Sequence, residues 1–213
     1  MPDTPAFAPQ FSSAHHRDEA AELGMWVFIA TEVLLFGGLI LGYCVYRHAY
    51  PAAFVAASRH TEIVIGTANT AILLTSSFLV ASAVEAFAAE TRKICVALLS
   101  GAIVLGLSFI LLKGIEYTSE YHEHLVPGID FAFNEKFANG ARLFFIFYFV
   151  ATAIHALHMV IGISLLTVLA GMTARAPTAR HCTALHSVAL YWHFVDAVWI
   201  FLFALIYLPG RAS

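Results

Sequence analysis

The stretch FIATEVLLFGG, residues 28–38, consists of apolar and small side chains around a single carboxylate, that of Glu32. It lies within a longer apolar segment, Leu23 to Tyr46. A helix of about 24 residues is ~36 Å long at ~1.5 Å per residue, which is enough to cross a bilayer. The segment therefore predicts a membrane-spanning helix with an ionisable group near its middle, where a charge is costly.

The composition of the whole chain points in the same direction. Of 213 residues, 60% are hydrophobic and 12% are charged, whereas about 25% of a soluble domain is charged. The net charge of −3 and the lack of a basic stripe argue against nucleic acid as a partner. The cysteines form no CxxC pair and predict neither a disulfide framework nor a zinc site: Cys44, Cys95 and Cys182. We therefore expect an integral membrane protein.

Five apolar segments are each long enough to span a membrane. They are Leu23–Tyr46, Glu62–Phe87, Ile94–Tyr117, Ala141–Gly171 and His186–Leu208. The expected fold is all-α, a bundle of five transmembrane helices in one domain. It divides into a polar N-terminal tail (1–22) without signal-peptide features, the membrane domain (23–208) and a C-terminal tail (209–213). Counting Lys and Arg on the two sides leaves the orientation undecided.

Small and polar residues are spaced for helix packing. Gly38 and Gly42 have the small-xxx-small spacing that lets a second helix approach closely. The second segment carries small and polar residues on one helical face: Gly66, Asn69, Thr70, Ser76 and Ser77. Their hydroxyl and amide groups are able to bond a neighbouring helix.

Two further apolar segments also contain ionisable side chains. His155 and His158 are three residues apart, and His193 and Asp196 have the same spacing, so each pair shares a helix face. Haem or copper ligation is weakly supported, since no second matched His pair is present. A proton relay and a hydrogen-bonded cluster that fixes helix register or holds a lipid headgroup both remain open.

His122 and His124 form a HEH motif in the acidic loop after the third segment. They would alternate sides in an extended chain, and no third ligand is close in sequence. A solvated loop at the membrane interface is the favoured interpretation.

Several motifs together resemble subunit III of haem–copper oxidases. In order they are GMWVFIATEVLLFGG, NTAILLTSS, IEYTSEY, FYFVATAIHALHMVIG and YWHFVDAVWIFLF. The last two are the most specific, and the resemblance extends from Leu23 to Tyr207. Nitric-oxide reductase systems contain a related five-helix accessory protein with the same motifs, which is the alternative. An independent proton-coupled transporter is a remote alternative, since internal repeats and broken helices are not evident.

The resemblance implies a role within a respiratory complex of the bacterial plasma membrane. The chain looks like the five-helix form of the family, with its N-terminus cytoplasmic and its C-terminus outside. Such subunits have no active site and carry no haem, copper or other metal, these cofactors being held by partner subunits. They pack against catalytic subunit I and the other oxidase subunits and bind phospholipid in a cleft. They also support proton uptake and protect the complex from inactivation during turnover.

The resemblance also assigns residues. Glu32 corresponds to the family's membrane-buried glutamate, which reacts with carbodiimides and is therefore expected to be a neutral, hydrogen-bonding group. Glu116 and Tyr117 correspond to an acidic–aromatic pair that ends a helix at an interface. The lipid cleft and polar core are expected to include His155 and His158 beside Glu32, and also His193, Asp196, Trp26, Asn69 and Trp192.

Two positions depart from the family pattern. Lys113 stands where many members have an uncharged residue, and Arg142 opens the fourth segment where small polar residues are common. Both are expected at the outer interface, with their charges reaching towards water. The five-helix form lacks the first two helices of larger members, so a closed, V-shaped lipid cleft is expected only where a partner chain supplies its other wall.

Overall fold

The computed structural model of the protein describes residues 14–128, 131–133, 136–175 and 179–211. Its helices are α1 (Ala14–Ala49), α2 (Pro51–Ser58), α3 (Ile63–Ala88), α4 (Arg92–His122), α5 (Ala138–Arg175) and α6 (Ala179–Ile206), and these described ranges contain no strand. Five helices, all except α2, are long and apolar enough to cross a membrane. The predicted all-α architecture is thus confirmed.

Helices α1, α4, α5 and α6 each extend beyond the predicted apolar segment by four or more residues at one end. Helix α1 begins at Ala14, within the predicted polar tail, and α4 continues past Tyr117 to His122. Residues 1–13 of that tail and the side chain of Cys182 lie outside the described part of the chain. The extra turn of α4 is amphipathic: Glu120 is buried whereas Tyr121 is exposed.

Four helices form a closed ring, in which α3 packs on α4, α4 on α5, α5 on α6, and α6 on α3. Helix α1 lies outside this ring, against α5 and α6. Only 17% of the most apolar stretch of α1 is buried, compared with 50% for α6. The core therefore lies among α3–α6, and α1 is the least enclosed of the five long helices.

Helix α2 was not predicted, although the sequence marks its start. Pro51 is its first residue, where the fixed backbone angle of proline suits a helix and its missing N–H is not needed. Phe54 and Ser58 are fully buried, and Ser58 Oγ donates a hydrogen bond to the carbonyl of Ile206 at 2.6 Å. The Gly210 N–H in turn donates to Ser58 Oγ at 3.1 Å. Helix α2 is thereby hydrogen-bonded to the end of α6 and to the segment that follows it.

Trp192 on α6 packs against the other three helices of the ring. It is fully buried, and its indole N–H donates to Ser76 Oγ at 3.1 Å. A Cβ added to Gly162 would lie 2.8 Å from the Trp192 ring, and one added to Gly106 would lie 3.0 Å from it. Glycine at these two positions is therefore what gives the indole its space between α4 and α5.

The polar face predicted on the second segment does bond a neighbouring helix. Besides the Ser76–Trp192 bond, Trp199 donates to Thr70 Oγ1 at 3.1 Å. The Gly38/Gly42 prediction is confirmed only at Gly42, where an added Cβ would lie 3.1 Å from the ring of Phe147; at Gly38 no described atom lies within 4 Å.

Candidate functional site

Glu32 on α1 and His158 on α5 form a direct contact. Glu32 Oε2 lies 3.0 Å from His158 Nε2, and His158 Nδ1 lies 2.8 Å from the carbonyl oxygen of Ile154. Because a carbonyl only accepts, Nδ1 must carry a hydrogen, and Nε2 of a neutral ring is then an acceptor. The contact therefore needs one further proton, held either by the Glu32 carboxyl or by an imidazolium.

Aromatic side chains hold the His158 ring in place. The Phe36 ring approaches it edge-on with a centroid distance of 5.4 Å, and the Tyr191 ring stacks on it at 6.4 Å. The Tyr191 hydroxyl also donates to the backbone carbonyl of His158 at 2.9 Å. The Glu32–His158 contact thus lies in a mostly apolar pocket, where hydrogen bonds between polar groups gain strength.

His155 lies one turn away from His158 but in different surroundings. It is fully buried, with its ring 5.4 Å from that of Phe109 and 5.1 Å from that of Trp199. Neither ring nitrogen has a hydrogen-bond partner among the described residues. The two histidines were expected together beside Glu32, and it is His158 whose ring contacts the carboxyl.

The second ionisable pair lies on α6, facing α3. His193 Nδ1 is 2.6 Å from Ser77 Oγ. Asp196 is only 3% exposed, and within the described chain its carboxyl oxygens have no hydrogen-bond partner. The amide of Asn69, also fully buried, likewise has none among these residues. Both side chains are therefore in the polar core of the ring, whereas Trp26 is 55% exposed on the outside of α1.

Lys113 does not lie at the outer interface, which corrects the expectation from sequence. It is 3% exposed, and its ammonium group donates to Glu116 Oε2 at 2.9 Å and to the hydroxyls of Tyr148 and Tyr207 at 2.7 Å each. These three bonds use all three N–H groups of a lysine. Its charge is therefore satisfied inside the bundle. Arg142, by contrast, is exposed as expected.

Glu116 completes this cluster from the same helix. It is fully buried, and its second oxygen, Oε1, accepts a hydrogen bond from Tyr207 at 2.7 Å. Glu116 thus lies inside the bundle and more than a turn before the end of α4, so it does not mark the helix end that was predicted. Tyr117 lies beside it, with its hydroxyl 2.6 Å from Thr152 Oγ1 on α5.

The sequence held a partial signal for this cluster. Lys113, Glu116 and Glu120 are spaced i, i+3 and i+7, which places them on one helix face. This spacing does not predict the contacts with Tyr148 on α5 and with Tyr207 in the segment after α6. We refer to these five residues as the Lys113 cluster.

A chain of five membrane-length helices, with its ionisable side chains gathered inside the bundle, is a multi-pass integral membrane protein. The family described as cytochrome c oxidase subunit III matches residues 10–211. The match includes all six helices, and the chain belongs to this family. The resemblance inferred from the sequence motifs is therefore confirmed.

Relatives in the family serve oxidases of more than one kind. The chain is 33% identical to cytochrome c oxidase subunit 3 of Myxine glutinosa, over 92% of this chain and 73% of the relative. It is 30% identical to cytochrome c oxidase subunit 3 of Thermostichus vulcanus, over 93% of this chain and 92% of the relative. It is 29% identical to cytochrome bo(3) ubiquinol oxidase subunit 3 of Pseudomonas aeruginosa, over 92% and 88%. Family membership thus leaves the electron donor open.

Proposed function

We propose that the chain is the non-redox subunit III of a bacterial haem–copper terminal oxidase. In this role it has no active site of its own, it packs against catalytic subunit I, and the haem and copper are held by partner subunits. The observation that carries the proposal is the family match over residues 10–211. The engagement of His158 with Glu32 and Ile154 agrees with it, because both nitrogens of this imidazole already have partners.

The proposed setting is the bacterial plasma membrane, with the N-terminus cytoplasmic and the C-terminus outside. We further propose that the subunit binds phospholipid and supports proton uptake by subunit I. Exposed apolar side chains along α1 favour lipid or subunit contact on that face, among them Trp26, Leu34 and Leu41. The Glu32–His158 contact is the candidate for the proton-related role, since it must hold one shared proton.

The test of the assignment is the identity of the largest chain that co-purifies with this one in mild detergent, determined by mass spectrometry. We expect a haem–copper oxygen reductase subunit of twelve or more helices. Recovery of a nitric-oxide reductase subunit would move the protein to the accessory role. Recovery of no large partner would contradict membership of either complex.

Removal of the subunit should shorten the working life of the oxidase without abolishing its chemistry. We expect a strain lacking this chain to give an oxidase with nearly normal initial oxygen consumption and an unaltered haem spectrum. Activity should then decay several-fold sooner during sustained turnover. Restoring the wild-type chain from a plasmid is the control. An unchanged active lifetime, or a changed haem spectrum, would contradict the proposed role.

A further inference from the structure

Glu120 is the member of the Lys113 cluster whose charge has no counterpart. It follows Glu116 by four residues on the buried face of α4 and is 3% exposed. Neither of its carboxyl oxygens accepts a hydrogen bond from the described residues. An ionised carboxylate in such a place would be buried without compensation, which is strongly unfavourable.

The hydrogen bonds show how the other charges are matched. Both oxygens of Glu116 accept bonds, one from the Lys113 ammonium at 2.9 Å and one from the Tyr207 hydroxyl at 2.7 Å. Short bonds from charged and hydroxyl donors stabilise an ionised carboxylate. Lys113 and Glu116 are therefore a balanced pair, and the cluster contains one lysine for two carboxyl groups.

We infer that Glu120 is a proton-binding site in the interior of the bundle, occupied by a proton while Lys113 and Glu116 remain a charged pair. The site is built from three parts of the chain: α4, α5 through Tyr148, and the segment after α6 through Tyr207. It is separate from the Glu32–His158 contact, which joins α1 to α5.

All charged and titratable groups around Glu120 are compatible with a single bound proton. The groups that face Glu120 are the Lys113 ammonium, the Tyr148 hydroxyl, and the carboxyl groups of Glu116 and Glu123. Tyr117 and Tyr207 bring two further hydroxyl groups near it, and an ordinary phenol is neutral at physiological pH. Since Lys113 already has three hydrogen-bond partners, none of its N–H groups remains for Glu120.

The direct test is infrared spectroscopy of the full chain in lipid nanodiscs, with glutamate labelled with ¹³C. A protonated glutamic acid gives a C=O band that an ionised carboxylate lacks. We expect the labelled band of Glu120→Gln to lose one carboxyl's share of its intensity. Glu123→Gln is the matched control, because Glu123 is exposed at the end of the same helix and its removal should leave the band unchanged.

A second variant keeps the test decisive should Glu120→Gln fail to fold. Glu120→Asp retains a carboxyl group, but aspartate is not labelled, so the labelled band should fall by one carboxyl and the unlabelled band should rise by one. Retention of the full labelled band in either folded variant would overturn the inference. That result would mean that Glu120 is ionised in the wild type, for example with a bound cation.

Discussion

Replacement of Lys113 by methionine should strongly destabilise the chain, since Glu116 would keep its buried position and lose its cation. Breaking one side of a buried ion pair costs about 3–5 kcal/mol, and we expect that loss in the free energy of unfolding measured in detergent. The double variant Lys113→Met/Glu116→Gln should recover part of it, because it removes both charges. Lys93→Met, exposed near the start of α4, is the control. A single variant no less stable than this control would contradict the balanced pair.

Among the ionisable residues, the sequence predicts that Glu32 has a partner but does not predict where Lys113 lies. Glu32 stood out because one carboxylate in an apolar run is unusual, and an intramembrane acid is expected to find a partner. Lys113 was misplaced because it lies near the end of its apolar segment, where a long cationic side chain ordinarily extends to water. Its actual partners, Tyr148 and Tyr207, are 35 and 94 residues further along the chain. Only the packing of the helices brings them together.

At the scale of helices, Gly162 is expected to be essential to the α5–α6 contact. A Cβ there would lie 2.8 Å from the ring of Trp192, which is fully buried and bonded to Ser76, so the ring has little freedom to move. We expect Gly162→Ala to lower the unfolding free energy by about 1–3 kcal/mol through overpacking. Gly171→Ala on the same helix meets no atom within 4 Å. It should be neutral or stabilising by about 0.5–1 kcal/mol. Equal stabilities of the two variants would refute this role of Gly162.

The elements themselves divide into those that periodicity and length predict and those that they do not. Five apolar segments predicted five long helices because no other structure satisfies the backbone of a 20-residue apolar run in lipid. Helix α2 has only eight residues, too few for a hydropathy signal, and Pro51 marks only its start. The turn of α4 beyond Tyr117 was missed because its residues are polar, although Glu120 belongs to the buried face.

The order in which the helices pack around one another could not be predicted from the sequence. The polar face of α3 indicated that its hydroxyl groups would bond a neighbouring helix, and the structure identifies that neighbour as α6, whose Trp192 and Trp199 donate to Ser76 and Thr70. Nothing in the sequence separated α1 from the ring formed by α3–α6. The ring depends on close packing between residues that are distant in sequence, such as Gly106 and Gly162 around Trp192.

Because α1 lies outside the ring, its Glu32–His158 contact with α5 is expected to help hold α1 on the bundle. In Glu32→Gln the amide N–H is able to donate to His158 Nε2, whose ring hydrogen is committed to Ile154. We therefore expect this variant to be retained in the purified oxidase with near-normal oxygen consumption. Glu32→Leu leaves Nε2 without its partner, at a cost of about 1–3 kcal/mol, and should reduce the amount of chain recovered. Complete loss of assembly in Glu32→Gln would show instead that the contact needs an ionised carboxylate facing an imidazolium, and that α1 is held by charge.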